Sequence, residues 1–331
     1  MISPAITSSR PRFGWAVALP VVAAAALLAY AMGSSGYIAT VLGFAAIYGI
    51  FCTGLNFFMG YTGQASFGQN AFAALGGYGS AILTDRLGLE PVVAILLSMG
   101  IAGGVALVVG YPTLRLRGHY LAMATFALGL ITYEITIEWT SLTQGYMGYS
   151  GIPPLGMFGY ELATEKQQLV ALVAVALAGV WISNRLRDSR FGRALRAIAG
   201  SEAAAAALGI NVARYKLAAF VIAALYASVA GSLFAHFLGF ISPEVFGTAM
   251  VVLSFTMLYL GGIGTTWGPL VGALIASLIP EILRATLPGN LKEGQDIVYC
   301  AILILILIFV PKGLSSLSGL WRSRRATGEE A

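Results

Sequence analysis

The chain has 331 residues, of which 58% are hydrophobic and only 10% are charged, and its formal net charge is +5. Soluble globular chains carry about a quarter charged residues, so this composition excludes a soluble domain. Apolar runs of about 20 residues, the length that a helix needs to cross roughly 30 Å of hydrocarbon, recur along the whole sequence. We therefore predict an all-α, polytopic membrane protein without a separate catalytic domain.

The apolar runs follow one another with short polar connections. They predict about ten transmembrane helices, within a range of about eight to ten. The predicted limits are 14–33, 37–59, 65–84, 91–111, 119–139, 167–184, 215–236, 246–262, 267–287 and 296–311.

The basic residues predict the orientation of these helices. If both termini are cytoplasmic and the helices alternate in direction, 15 of the 19 Lys and Arg residues lie on the cytoplasmic side. This distribution follows the positive-inside bias. We expect a single transmembrane domain over 13–311, with cytoplasmic tails at 1–12 and 312–331. A cleavable signal peptide, with Arg10 and Arg12 preceding its apolar run, is the alternative reading of the first segment.

Two polar, glycine-rich segments interrupt the apolar pattern on the predicted cytoplasmic side. We call residues 60–69 the first elbow and residues 261–269 the second elbow. Irregular backbone at membrane depth is tolerated where protein or a water-filled cavity surrounds it, and in transporters it often borders the pathway. Asn56, Gln64 and Gln69 are therefore candidate pathway residues, with tight interhelical turns as the alternative reading.

Two carboxylates lie one turn apart near the outer end of the fifth predicted helix. A charge deep in the membrane is costly and usually faces a cavity or a partner. Glu134 is therefore a further candidate pathway residue, where it could meet a substrate ammonium group. The alternative is that Glu134 and Glu138 both reach interfacial water.

The next segment, residues 140–166, is the predicted periplasmic loop. Residues 140–165 contain Glu161 and Glu165, several glycines and aromatic residues, and no basic residue. This composition favours an ordered contact surface over a simple tether.

Residues 185–214 form the longest predicted internal loop, and five arginines lie in its first half. The pattern predicts a short amphipathic helix over 190–198 and a second helix over 202–208. Ser201 is expected to cap the second helix and Gly209 to end it. Physical chemistry alone leaves two readings open, a docking element for a cytoplasmic partner and an interfacial helix held by anionic lipid.

Other chemistry is not indicated. The chain has no Gly-Lys dipeptide and therefore no phosphate-binding P-loop, so any ATPase must be a separate polypeptide. His119 and His236 have no second ligand at metal spacing, and Cys52 and Cys300 are predicted at depths too different for a disulfide. We predict no metal or cofactor on this chain and no nucleic-acid partner.

Four motifs, in the same order along roughly residues 54 to 270, resemble the branched-chain amino-acid ABC permeases of the LivM type. The first combines Gly54-Leu55-Asn56 with Gly60-Tyr61-Thr62-Gly63-Gln64, and the second is Arg115-Leu116-Arg117-Gly118 followed by Tyr120-Leu121-Ala122. The third runs from Gly192 through Glu202-Ala203-Ala204 to Tyr215-Lys216, and the last is Gly261-Gly262-Ile263-Gly264 with Trp267-Gly268-Pro269.

This resemblance implies a multi-subunit importer in the bacterial inner membrane. The expected partners are a second, related permease, two cytoplasmic ATPases that bind ATP and Mg²⁺, and a periplasmic substrate-binding protein. The resemblance also implies that the internal loop couples the chain to the ATPases. The coupling residues it implies are Arg190, Gly192, Arg193, Arg196, Glu202, Leu208 and Gly209.

The sequence departs from the coupling motif of importers at one position, where Leu208 replaces a glycine and Gly209 follows. Branched-chain or other hydrophobic amino acids are the implied substrates. The alternatives are a related permease for urea, short amides or sugars, an ATP-independent channel or secondary transporter, and a structural subunit of a larger membrane enzyme.

Overall fold

The computed structural model describes residues 36–157, 160–162, 164–286, 295–309 and 313. These residues fold almost entirely into helices. We number the helices in chain order as α1 (Gly36–Thr62), α2 (Gln69–Leu87), α3 (Pro91–Thr113), α4 (His119–Glu138), α5 (Thr140–Thr143), α6 (Glu165–Asp188), α7 (Arg190–Gly200), α8 (Glu202–Ala207), α9 (Val212–Leu238), α10 (Thr248–Gly261), α11 (Gly268–Thr286) and α12 (Gln295–Phe309).

The helical, multi-pass prediction is confirmed. Each of the predicted segments from 37–59 to 296–311 corresponds to a helix. Five helices, α1, α3, α4, α6 and α9, are long and apolar enough to cross a membrane, and α10 and residues 297–306 form shorter apolar helices. The predicted first helix and the tail at 1–12 lie outside the described residues, as does the tail at 312–331 apart from Gly313, so the count of ten stays a prediction.

The purely helical prediction missed four short strands. β1 (Tyr149–Ser150) pairs antiparallel with β4 (Phe240–Ile241), and β2 (Gly156–Met157) pairs antiparallel with β3 (Tyr160–Glu161). Strands of two residues are too short to produce an alternating pattern in the sequence.

Three of these strands lie in the predicted periplasmic loop, and β1 holds that loop against the helices. Tyr149 of β1 is 1% exposed, and its hydroxyl donates a hydrogen bond to Asp85 near the end of α2. Arg86 also donates to the carbonyl of Ser141. The loop is therefore anchored both to the end of α2 and to β4, directly after α9.

Helices α1 and α9 form the centre of the bundle. In their most apolar stretches 67% and 61% of the residues are buried, against 22–28% in α3, α4 and α6. Phe220 of α9 packs edge-on against Phe58 of α1 and Phe72 of α2, with ring centroids 5.4 Å apart in both pairs. Helices that are apolar on all sides are expected at such central positions, and the outer helices expose apolar faces.

Small residues let the backbones of neighbouring helices touch. A Cβ atom on Gly231 of α9 would overlap the carbonyl oxygen of Ala73, and one on Gly272 of α11 would overlap that of Met257. In lipid no hydrophobic force drives helices together, so the van der Waals contacts made by such close approach stabilise the bundle. The similarly spaced Gly100 and Gly104 of α3 are exposed, and a Cβ on either would meet no other described residue within 4 Å.

Helix α10 begins inside the bundle and not at its outer end. The ring of Phe246, two residues before α10, packs against Tyr78 of α2 and Phe234 of α9. Its carbonyl accepts a 2.8 Å hydrogen bond from Asn70, the second residue of α2. The 14 residues of α10 span about 21 Å at 1.5 Å per residue, which is less than the hydrocarbon thickness of about 30 Å.

The topology predicts that single cysteines at Met147 and at Ala203 are labelled from opposite sides of the membrane. Both positions are exposed, and the natural, exposed Cys300 is first replaced by serine. A membrane-impermeant maleimide added to intact spheroplasts should modify Met147→Cys at once and Ala203→Cys only after lysis. Modification of both cysteines in intact spheroplasts would contradict the orientation.

Candidate functional site

The internal loop folds into two capped helices. The hydroxyl of Ser189 accepts from the amide of Gly192 at the start of α7, and the hydroxyl of Ser201 accepts from the amide of Ala204 at the start of α8. These bonds satisfy donors that a helix start otherwise leaves free. The predicted cap by Ser201 is confirmed, and α7 runs two residues further than expected, to Gly200.

The second helix was predicted to include Leu208, but α8 ends at Ala207 and Leu208 is its C-terminal cap residue. Gly209 comes next with φ at 83°, a left-handed conformation that favours glycine. The glycine that ends the helix is thus one position later than in the coupling motif of importers, and Leu208 is left 80% exposed.

Helix α7 has one buried face and one basic face. Leu195 and Ile198 are buried, and Gly192 is buried so tightly that a Cβ would overlap the carbonyl of Arg187. The other face exposes its basic side chains. Those exposed residues are Arg190, Arg193 and Arg196. Of the predicted coupling residues, these three, Leu208 and Gly209 are therefore accessible to a partner, and Gly192 is a packing residue.

Glu202 faces its own chain. Its carboxylate forms an ion pair with Lys216 of α9, which is only 3% exposed, and Oε1 also accepts a 3.1 Å hydrogen bond from the side-chain amide of Gln64. Charged side chains are almost never buried unless they are paired, and this pair meets that requirement. Of the predicted coupling residues, Glu202 is therefore separated from the arginines, because it opens α8 and points to the first elbow.

The second elbow is also tied to the internal loop. Arg187, near the end of α6, donates a 2.6 Å hydrogen bond from Nη1 to the hydroxyl of Thr266. The same guanidinium lies 6.0 Å from the ring centre of Tyr61, at the end of α1. We call the five residues Gln64, Arg187, Glu202, Lys216 and Thr266 the coupling network, since they connect the internal loop to both elbows.

Asn56 braces the second elbow against α1. Its Nδ2 donates to the carbonyl of Thr265 at 2.8 Å, and its Oδ1 accepts from the amide of Gly264 at 2.7 Å. Gly264 has φ at 77°, which lets the elbow turn sharply over α1. The side chain is 1% exposed. Both functions of the amide are thus occupied within the chain.

We expect Asn56→Leu to lower the free energy of unfolding by about 2–4 kcal/mol, since two buried hydrogen bonds are lost and two backbone groups are left unpaired. The measurement is the thermal midpoint of the detergent-solubilised protein. The neighbouring Thr53→Val is the matched control, because its hydroxyl bonds only within α1. Equal midpoints for the Asn56→Leu variant and the natural protein would contradict the bracing role.

Gln69 lies where the first elbow enters α2. It is 2% exposed, and neither atom of its side-chain amide finds a hydrogen-bond partner within the described part of the chain. A buried amide without partners is costly, so its presence at this position calls for a partner such as water or a passing solute. The four candidate pathway residues therefore fall into two groups, according to whether their polar side-chain atoms are hydrogen-bonded. Asn56 and Gln64 are bonded within the chain, whereas no hydrogen bond among the described residues uses the buried amide of Gln69 or the exposed carboxylate of Glu134.

Glu134 lies on the wall of a cavity of about 260 Å³. The cavity lies between α2, α4 and the start of α10, and Asn70, Phe126 and Glu244 also line it. The carboxylate of Glu244 accepts a 2.7 Å hydrogen bond from the hydroxyl of Tyr146, and this bond raises the pKa of Tyr146 above its ordinary value. Glu134 and Glu138, one turn apart, are both exposed, and of the two only Glu134 lines the cavity.

Sequence reasoning missed Lys216, Arg187 and Thr266 of the coupling network, and Asn70 and Glu244 of the cavity. Arg187 was counted only as a cytoplasmic charge, and Lys216 was noted as a cytoplasmic charge and as the end of the third family motif, without a role of its own. Asn70 directly follows Gln69, a candidate pathway residue, and that position was an available clue. Nothing in the sequence pattern connects Glu244 with Glu134.

No group of three His, Cys, Asp or Glu side chains suited to a metal ion occurs among the described residues. His236 lies 2.8 Å from the carbonyl of Pro153 through Nδ1, and Cys52 and Cys300 are free thiols.

Comparison with known proteins identifies the family. The profile of the family described as "Branched-chain amino acid transport system / permease component" matches residues 37–307. The chain is 31% identical to the branched-chain amino acid permease protein LivM of Salmonella typhimurium, over 86% of this chain and 72% of that protein. It is 29% identical to the permease protein LivH of Escherichia coli, over 81% of this chain and 90% of that protein. The chain therefore belongs to the family of branched-chain amino acid transport permease components.

Proposed function

We propose that this chain is the transmembrane permease subunit of an ATP-driven importer of branched-chain amino acids. The observation that carries the proposal is the coupling network. It connects an internal loop with an exposed basic face to the two glycine-rich elbows, and each elbow joins two helices of the bundle. Movement of the loop is thereby transmitted to the first and second elbows and not dissipated in a flexible linker.

The division of the internal loop into two faces supports a docking role. The arginines of α7 are exposed, whereas Glu202 and Lys216 are held against the bundle. A rigid helix transmits displacement between packed elements. In the proposed complex, an ATPase subunit contacts the exposed arginines, and closure of two ATPases around ATP and Mg²⁺ moves α7 and α8. The chain itself binds neither ATP nor a cofactor.

The remaining partners follow from the same proposal. A second, related permease completes the transmembrane pathway, and a periplasmic binding protein delivers the substrate to the ordered surface formed by 140–157 and β4. The protein resides in the bacterial inner membrane with the internal loop in the cytoplasm. Gln69 and Glu134 are the proposed pathway residues, because no hydrogen bond within the described part of the chain occupies the polar groups of their side chains.

Branched-chain amino acids are the proposed substrate because the relatives named above are branched-chain amino acid permeases. The first test is affinity purification of the tagged chain after coexpression with the ATPases, the second permease and the binding protein of the proposed complex. Retention of two ATPase subunits, and ATP hydrolysis stimulated by the binding protein with L-leucine, are the expected results. Purification of the chain without any ATPase would contradict the proposal.

A further inference from the structure

Groups of opposite electrical character line the cavity beside Glu134. Glu134 and Glu244 supply carboxylates, and Gly247, Thr248 and Ala249 bring the start of α10 to the same cavity. Helix starts carry free amide donors and the positive end of the helix dipole. No side chain caps this start, because the residue before α10 is Gly247.

The start of α10 lies at an unusual position for a helix of a membrane protein. Most helices of a membrane protein begin at the surface, where water satisfies their first amides. Helix α10 begins beside Phe246, whose ring is packed between α2 and α9. Its first residues, the exposed Thr248 and Ala249, therefore lie at the cavity and not at the outer end of the bundle. Interrupted helices whose starts lie inside a membrane protein are suited to hold the anionic group of a substrate.

Asn70 is the independent sign of a ligand. This side chain lines the cavity and is 4% exposed. Its Nδ2 donates to the carbonyl of Phe246, which fixes the orientation of the amide and leaves Oδ1 as an acceptor. Oδ1 has no hydrogen-bond partner among the described residues. A buried acceptor of this kind is costly unless something donates to it.

The apolar part of the lining suits an apolar side chain. Phe126 and Leu130 of α4 line the cavity together with Tyr133. Gly129 lies between them, and a Cβ at that position would come 2.6 Å from Oδ1 of Asn70. Glycine thus keeps the space beside the free acceptor open. A volume of about 260 Å³ is below the usual range for drug-sized ligands, so it suits a small solute.

We propose that this cavity is a binding site for a zwitterionic α-amino acid with an apolar side chain. The start of α10 receives the carboxylate, Glu134 and Glu244 with the Oδ1 of Asn70 receive the ammonium group, and Phe126 and Leu130 contact the side chain. Since Tyr146 already donates to Glu244, Glu134 is the principal partner of the ammonium group. This inference rests on the proposed function and gives it a substrate site.

The first experiment measures ATP-driven uptake of L-leucine by the complete complex in proteoliposomes. Glu134→Gln and Glu244→Gln keep the shape of each side chain and remove its charge, and Glu138→Gln is the matched control on the same face of α4. We expect Glu134→Gln to lower uptake roughly tenfold or more, from the loss of a charge-assisted hydrogen bond, and Glu244→Gln to lower it less. Glu138→Gln should transport normally.

ATP hydrolysis stimulated by the binding protein separates a substrate role from a loss of assembly. It should persist in both cavity variants. Normal uptake by the Glu134→Gln, Glu244→Gln double variant, while the natural complex transports L-leucine, would overturn the inference and leave the proposed function intact. Absence of ATP-driven uptake in the natural complex would overturn the proposed function itself.

A second experiment does not depend on the acidic variants. In a Cys300→Ser background, the exposed, cavity-lining Ala249→Cys is modified by a water-soluble thiol reagent. Millimolar L-leucine should slow the modification severalfold, and 4-methylvalerate or 3-methylbutylamine, which each lack one charged group of leucine, should not. Equal protection by leucine and by either analogue, or no protection by leucine, would overturn the site.

Discussion

Charge reversal on the exposed face of α7 is expected to detach the ATPases. Arg193 and Arg196 are exposed on this face, and no acidic side chain of the described chain forms an ion pair with them within 4.0 Å. The Arg193→Glu, Arg196→Glu variant should therefore fold normally. Co-purification of ATPase subunits with the tagged chain should fall more than tenfold. Reversing the charge places like charges against each other at the contact, and at a desolvated contact this can cost several kcal/mol.

Arg214→Glu is the matched control, since Arg214 is exposed at the start of α9, outside α7 and α8. It should retain the ATPases. Retention of both the ATPases and L-leucine uptake in the double variant would remove the docking role from α7.

Neutralising Glu202 is expected to stop transport without releasing the ATPases. Glu202→Gln leaves Lys216, which is 3% exposed, without its counter-charge, and a lone buried charge costs about 3–5 kcal/mol. Because Glu202 itself is 30% exposed, we expect the substitution to cost a smaller amount, about 1–3 kcal/mol. This cost should appear as loss of the contact between α8 and the first elbow. The complex should retain its ATPases and hydrolyse ATP, but L-leucine uptake should fall more than tenfold.

A double-mutant cycle isolates the contribution of the pair. If Glu202 and Lys216 act through each other, the Glu202→Gln, Lys216→Met variant should lose less uptake than the sum of the two single losses. Strictly additive losses would show that the ion pair does not transmit movement. Full uptake by Glu202→Gln would contradict the transmission role directly.

The resemblance to the permease family grouped Arg193, Arg196 and Glu202 as coupling residues, whereas the structure gives the exposed arginines and the inward-facing Glu202 different roles. The capping serine and the Gly200-Ser201 break predicted the two helices, and both are present. The sequence does not show which face of α8 is buried, because Lys216 lies 14 residues after Glu202 in a different helix. Their approach depends on how α9 packs against the first elbow, and no local pattern encodes that packing.

The transmembrane helices were predictable because each needs about 20 apolar residues and little else. The start of α10 within the bundle was not predictable, since residues 246–262 have the composition of an ordinary crossing helix. Only the packing of Phe246 between Tyr78 and Phe234 shows that the helix begins within the bundle. For the same reason Glu134 was a candidate from its depth alone, whereas its neighbours in the cavity required the structure.

ATP-driven uptake of L-leucine into proteoliposomes containing the complete complex tests the central claim most directly. With ATP on the side of the internal loop and loaded binding protein on the other, we expect L-leucine to accumulate, and unlabelled isoleucine and valine to compete for uptake. Urea and ribose should not compete. Accumulation that is independent of ATP, or no accumulation despite stimulated ATP hydrolysis, would contradict the assignment of this chain as the permease of a branched-chain amino acid importer.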